Sequence, residues 1–148
     1  MNLDRYTIKA QEAVQGAQTM AERSGHPELT TAHLLLALMV QEGGLVVPVL
    51  QKIGADPTQI KLQVVGLVEK LPTQRGGDVH ISSDLRRALQ AAEDEAARLK
   101  DDYVSTEHML LALVQIKDDT ARILKDAGAA REELLKAIQS LRGSARVT

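Results

Sequence analysis

Apolar residues at Ala10, Ala13, Val14, Ala17 and Ala21 recur at helical spacing, and Lys9, Glu12, Gln15 and Glu22 fall on the opposite face. Thr7 is a good N-cap for this helix, and Gly25 followed by Pro27 is a stop signal, so the pattern predicts a helix to about Ser24-Gly25. A stripe made mostly of alanine lets such a helix approach its neighbour closely. From Leu34 to Val40 the chain is apolar without interruption. Capped by Thr30 and ending near Gln41, that run predicts a helix enclosed by others. Gly43-Gly44 breaks it, and a short helix follows over about Leu45–Ile53, with Pro48 in or just after its first turn. Asp56-Pro57 pairs an N-cap with proline at the first helical position, and Ile60, Val64, Leu67, Val68 and Leu71 continue at helical spacing up to Pro72.

The same plan then recurs. Ser105-Thr106-Glu107-His108-Met109-Leu110-Leu111-Ala112-Leu113 matches Thr30-Thr31-Ala32-His33-Leu34-Leu35-Leu36-Ala37-Leu38 at an offset of 75, with six of nine positions identical. A stripe of Leu85, Ala88, Leu89, Ala92 and Ala96, capped by Ser83 or Ser82, falls on the first stripe at that offset. Further helices are predicted over Thr106 to about Ile116, Asp119–Ala127 and about Arg131–Leu141. Gly128-Ala129 matches Gly54-Ala55 at an offset of 74. The expected architecture is all-α: two pseudo-symmetric four-helix repeats, about eight helices, packed into one domain. The repeats are placed at 1–71 and 82–142, joined by a polar, Gly-rich linker over 72–81, with residues 143–148 read as the start of an exit linker.

Composition narrows the chemistry. The chain of 148 residues contains two Tyr and neither Phe nor Trp, so the core must be aliphatic. A net charge of −2 and the shortage of aromatic stacking platforms argue against nucleic acid as a partner. The absence of cysteine removes disulfides and thiolate sites and suits a reducing cytoplasm. The longest apolar run, seven residues at Leu34–Val40, is far short of the roughly 20 needed to span a membrane. No signal peptide is visible at the N-terminus.

The sequence contains neither a phosphate-binding glycine loop nor a GxSxG elbow among its six serines, and no HExxH pair. His33 and His108 stand out because they are repeated. They could face each other across the repeat axis, as in a small metal or hydrolytic enzyme using Glu107 as well. The plainer reading is that each sits in the first turn of a buried helix and bonds a neighbouring group. Glu107 differs from its twin Ala32, and a symmetric fold gives no reason for one copy only, so Glu107 is a binding candidate. Asp101-Asp102 reads as a solvated helix end, and Glu93-Asp94-Glu95 as a solvated face.

The Thr-Glu-His-Met-Leu-Leu-Ala-Leu motif, the doubled four-helix plan and the opening Asn2-Leu3-Asp4-Arg5-Tyr6-Thr7 resemble the Clp N-terminal domain over essentially the whole chain. The opening and the ending Leu141-Arg142-Gly143-Ser144-Ala145-Arg146-Val147-Thr148 resemble disaggregases of the ClpB type more than the protease-coupled Clp unfoldases. The resemblance implies a domain without catalysis or cofactor. ATP and Mg would belong to AAA+ ATPase modules following the exit linker. It further implies a monomeric domain in a homohexameric parent, cytoplasmic, recruiting unfolded or aggregated polypeptides through a weak apolar groove to the hexamer pore. Adaptor docking, as in the protease-coupled relatives, is the alternative. The family's substrate-handling residues fall on Thr7, Asp101 and Glu107. Its large apolar groove positions fall on Ala91, Glu95 and His108, which makes that part of the groove less apolar. Some protease-coupled relatives bind phosphorylated arginine with a Glu in each motif copy; Ala32 argues against a symmetric site of that kind.

Overall fold

A computed structural model describes residues 2–143; the exit segment from 144 onwards lies outside them. Among the described residues there are eight helices: α1 Ile8–Ser24, α2 Thr31–Val40, α3 Val46–Lys52, α4 Pro57–Glu69, α5 Ser83–Arg98, α6 Thr106–Leu113, α7 Asp119–Asp126 and α8 Arg131–Arg142. The all-α class and the doubled plan are found as expected. The caps follow the sequence: the Thr7 side chain accepts from Ala10 N–H, Asp56 from Thr58 and Gln59, and Ser82 rather than Ser83 from Leu85.

The core is built around α2 and α6. Every residue of α6 is buried, as are all of α2 except Leu36 and Val40. α1 lays its alanine stripe against α2, and α5 does the same against α6. Aliphatic side chains fill the interior; the one core aromatic among the described residues is Tyr6, while Tyr103 is largely outside. The sixth helix stops at Leu113 instead of near Ile116. Gln115 N–H donates to Ala112 C=O, and the Gln115 side-chain Nε2 takes the Leu111 C=O that a further α-helical turn would have used.

Two short parallel pairings escaped the sequence pattern. Strands β1 Glu28–Leu29 and β2 His80–Ile81 pair with Glu28 opposite His80 and Leu29 opposite Ile81, and Tyr6 bridges Val104 in the same sense. These are twins: adding 75 to Tyr6 and Leu29 gives Ile81 and Val104. The segment entering the first helix of each half thus pairs with the loop before the buried helix of the other half. Thr7 N–H donates to Val104 C=O, and Ser82 N–H donates to Leu29 C=O. The segment expected as a plain polar linker is therefore tied down at its end by β2, and nearer its start Gln74 N–H donates to Gly25 C=O.

The ends of α1 and α5 close alike. His26 N–H reaches back to Ala21 C=O, and Asp101 N–H to Ala96 C=O. Gly25 takes the left-handed turn residue in the first copy (φ 70°), but Lys100 takes it in the second (φ 59°). A side chain there carries a steric cost that glycine avoids. Lys100→Gly should therefore stabilise the fold by about 0.5–1 kcal/mol, offset in part by the freer unfolded chain, read as a higher urea midpoint at unchanged slope.

Candidate functional site

The two buried helices begin with the same construction, and it fixes the histidines. Thr30 N–H donates to His33 Nδ1 (3.0 Å), and Ser105 N–H donates to His108 Nδ1 (2.8 Å). In return each cap hydroxyl receives the histidine's own backbone N–H. This is a capping box with imidazole in the place usually taken by Glu or Gln. Because Nδ1 must accept, each ring is held as the neutral Nε2–H tautomer. The proton on Nε2 then needs an acceptor. His33 finds His26 Nδ1 at 2.9 Å, and His108 finds Asp101 Oδ2 at 2.7 Å. Both rings are fully enclosed and both ring nitrogens are engaged within their own half of the chain. The plainer reading of the histidines is the observed one.

Asp101 occupies the position of His26 at the 75-residue offset, which brings a carboxylate into a buried site. It is not a solvated helix end: its side chain is wholly buried, and Arg142 on α8 reaches it with Nη2 at 2.9 Å. The same guanidinium approaches Glu107 Oε2 through Nε at 3.5 Å, and Thr106 Oγ1 donates to Glu107 Oε1. Two of the three leading candidates, Asp101 and Glu107, are thus joined by a residue that sequence reasoning did not single out. A signal existed. At the 74-residue offset of the last helices, Arg142 falls on Val68, so a cation replaces an apolar residue opposite a carboxylate that replaces a histidine.

Thr7 and Glu107 line one cleft, of about 340 Å³. The Thr7–Val104 hydrogen bond brings the start of α1 beside the start of α6. Ile8, Gly43, Gly44 and Leu45 complete a mostly apolar wall, with Ile8 69% exposed. The equivalent place in the other copy is bridged by side chains. There Asp118, which caps α7, accepts from Thr31 Oγ1 at 2.7 Å, and Thr31 Oγ1 in turn accepts from the Thr120 hydroxyl at 2.9 Å. The first copy has Gly43-Gly44 near the equivalent point, and a Cβ on Gly43 would meet nothing within 4 Å. One repeat therefore ties its threonine to a carboxylate, and the other has a cleft lined by the largely buried Glu107 carboxylate.

The three groove positions fare differently. Ala91 is half-buried against the core. His108 is buried in its cap. Glu95 corrects the expectation of a solvated Glu93-Asp94-Glu95 face: Glu93 and Asp94 are exposed, but Glu95 is 0% exposed. It accepts both Nε and Nη2 of Arg131 (2.6 and 2.7 Å) and a third bond from Gln115. The Arg131 fork holds the Glu95 carboxyl below the usual carboxylate range, against the opposing effect of burial. That part of the surface is an ionic lock rather than an open apolar groove. Among the described residues, no group of three or more His, Cys, Asp or Glu side chains could hold a metal, and no helix is long and apolar enough to cross a membrane.

The family model described as the Clp repeat (R) N-terminal domain matches residues 5–141. The chain belongs to this family. The Clp N-domain is 42% identical over all 148 of its residues to the chaperone protein ClpB of Porphyromonas gingivalis, and 37% identical over its full length to ClpB of Bacillus cereus. It spans only 17% and 18% of those two proteins, about a sixth of their length. Its fold superposes on the N-terminal domain of Hsp104 from Candida albicans with a TM-score of 0.85 at 23% identity, covering 97% of this chain and 95% of that one. A ClpV N-domain solved in complex with a VipB peptide superposes with a TM-score of 0.79 at 19% identity, covering 100% and 96% of the two chains.

The buried histidines make the stability of this Clp N-domain depend on pH. Burial, then the neighbouring His26, pull the His33 imidazole down to about 4 from 6.5. The unfolded chain binds that proton more readily, so the contribution is complete above about pH 6.5 and is lost as pH falls towards 4, by up to about 1.4 kcal/mol per pH unit. Burial also lowers His108, despite Asp101, and acts in the same direction. Urea titrations at pH 7 and pH 5 should show that loss, and His33→Asn should flatten it; an equal slope in the variant would refute this origin. Arg142 counteracts Asp101 in setting the His108 proton affinity. Arg142→Gln should accordingly raise the His108 pKa, measured by NMR titration of its ring protons.

Proposed function

We propose that this chain is the client-recruiting domain of an ATP-driven disaggregase of the ClpB type. It binds unfolded or aggregated polypeptide weakly at the cleft between Thr7 and Glu107 and releases it towards the pore of a homohexamer. In this reading the domain itself performs no catalysis and carries no cofactor. ATP and Mg serve ATPase modules elsewhere in the parent protein, the domain is a monomer when isolated, and the setting is the cytoplasm. Membranes and nucleic acids are not partners.

The observation that supports the reading is the one-sided cleft. Its wall is aliphatic, from Ile8 and Leu45, and its polar lining includes the Thr7 hydroxyl and the largely buried Glu107 carboxylate. An unfolded client offers apolar side chains for the wall and main-chain N–H groups or cations for the polar lining. Burying one aliphatic side chain contributes about 1.5–3 kcal/mol, and ordering a disordered segment offsets much of that. Weak, sequence-tolerant binding results, and several tethered copies can supply avidity. Asp101 belongs to this reading as a positioning residue, holding Arg142 beside Glu107. Ala91, Glu95 and His108 enter it as packing and lock residues that keep α5 and α6 in place. The sequence similarity to the ClpB proteins favours this class over adaptor docking.

Titrating the isotope-labelled domain with β-casein, an unfolded protein, should shift the amides of Thr7, Leu45 and Glu107. Glu107→Ala should weaken binding about tenfold, the cost of one hydrogen bond to a charged group. A spectrum unmoved at high casein concentration would sink the proposal. A single folded partner captured in place of many unfolded ones would favour adaptor docking instead.

A further inference from the structure

We infer that the client path does not end at the Thr7–Glu107 cleft but continues into a trough between α1 and α2, centred on Gly16, so that an extended segment of about six residues occupies both. This inference rests on the proposed client-binding role of the cleft. The trough, about 290 Å³, is lined by Glu12, Gly16 and Met20 of α1 and by Ala37, Val40 and Gln41 at the end of α2. Lys9 lines both hollows, and the loop that supplies Gln41 and Glu42 to the trough supplies Gly43, Gly44 and Leu45 to the cleft. The two are neighbours along α1 and along this loop. Lys9 forms the saddle between them, with its Nζ donating to Glu42 C=O at 2.6 Å and its own C=O receiving Gln41 Nε2 at 2.8 Å.

Gly16 is the telling residue. Glycine inside a helix destabilises it relative to alanine, and it is ordinarily explained by a left-handed backbone or by close packing. Neither applies here. Gly16 is not among the residues with positive φ, and a Cβ built on it would meet only Ala37 Cβ, at an ordinary 3.8 Å. What the missing side chain does is leave the floor of the trough empty. The walls around that floor are apolar, with Met20 packed against the core and Val40 48% exposed. At the loop end, Gln41 Oε1 is a buried acceptor without a hydrogen-bond partner. A client N–H would satisfy it once the amide swings outward.

Length and charge define the occupant. Thr7 and Met20 are thirteen positions apart, which is about 20 Å along the helix. An extended chain covers that distance in about six residues. Exposed carboxylates at Glu12 and Glu42 flank the path, with Glu107 beside Arg142 at its far end, against one lysine already tied to a carbonyl. The complementary client is an extended segment with aliphatic residues at both ends and a basic residue between them.

The test uses a heptapeptide with leucine at each end, one central lysine and glycine or serine elsewhere. Bound to the labelled chain, it should shift the amides of Gly16, Ala37 and Val40 together with those of Thr7 and Glu107. Gly16→Met, which fills the floor, and Val40→Ser, which removes a wall at an exposed position, should each raise its Kd about tenfold, the loss of one partly buried aliphatic side chain. Neither should change the Kd of a leucine-bearing tripeptide that fits the cleft alone. Replacing the central lysine by glutamate should weaken binding in the same way. Shifts at Thr7 and Glu107 without shifts at Gly16 and Val40, or an unchanged heptapeptide Kd in both variants, would overturn the extended path and leave the cleft standing. No shift at either place would overturn both.

Discussion

The structure depends on an exchange of short backbone segments between its two halves. Tyr6 pairs with Val104 and Ile81 with Leu29, so each half's first helix is launched from the other half's loop. Each of these contacts is a few hydrogen bonds, and a two-residue strand has no stability alone. Their effect is positional. They set the starts of α1 and α5 beside the starts of α6 and α2, and those buried helices then pack as one aliphatic core. Two repeats that could have been tethered neighbours become one domain, with a cleft at the junction where Thr7 meets Glu107.

Duplication explains what is alike, and divergence of the copies explains the site. In the first copy a neutral histidine, His26, accepts the Nε2 proton of the capping His33. In the second a carboxylate, Asp101, does so, and a buried carboxylate requires a cation. Arg142 supplies it and in doing so lies against Glu107. A third difference, Gly43-Gly44 against the capping Asp118, decides which junction is bridged. Together with Ala32 against Glu107, four unlike pairs turn a symmetric scaffold into an asymmetric surface on a shared packing plan.

The fold was legible in the sequence wherever one helix carries its own signal. The stripes, the Thr7, Thr30 and Asp56 caps, the Gly25 stop and the 75-residue repeat each depend on residues within a turn or two of one another, so local spacing suffices. The histidine caps were legible for the same reason. The strand pairings were not, because two residues leave no periodicity, and their partners lie some 50 or 98 positions away in the chain. Glu95 looked solvated because it stands in a run of acids, and only the approach of α8 revealed Arg131 across from it.

By itself, then, the sequence determined the helices, the doubling, the aliphatic core and the family, all properties of residue type and short-range spacing. The resemblance to the Clp N-terminal domain marked Thr7, Asp101 and Glu107 one by one, although Asp101 by itself read as a solvated helix end. Tertiary structure decided how those three relate. Thr7 and Glu107 share a cleft because the segment entering α1 pairs with Val104 of the opposite half. Asp101 is withheld from the surface because Arg142, forty-one residues on, folds back over it. How deeply a carboxylate is enclosed by an arginine is a matter of which distant segment lands beside it, and that is set by the packing of the whole domain.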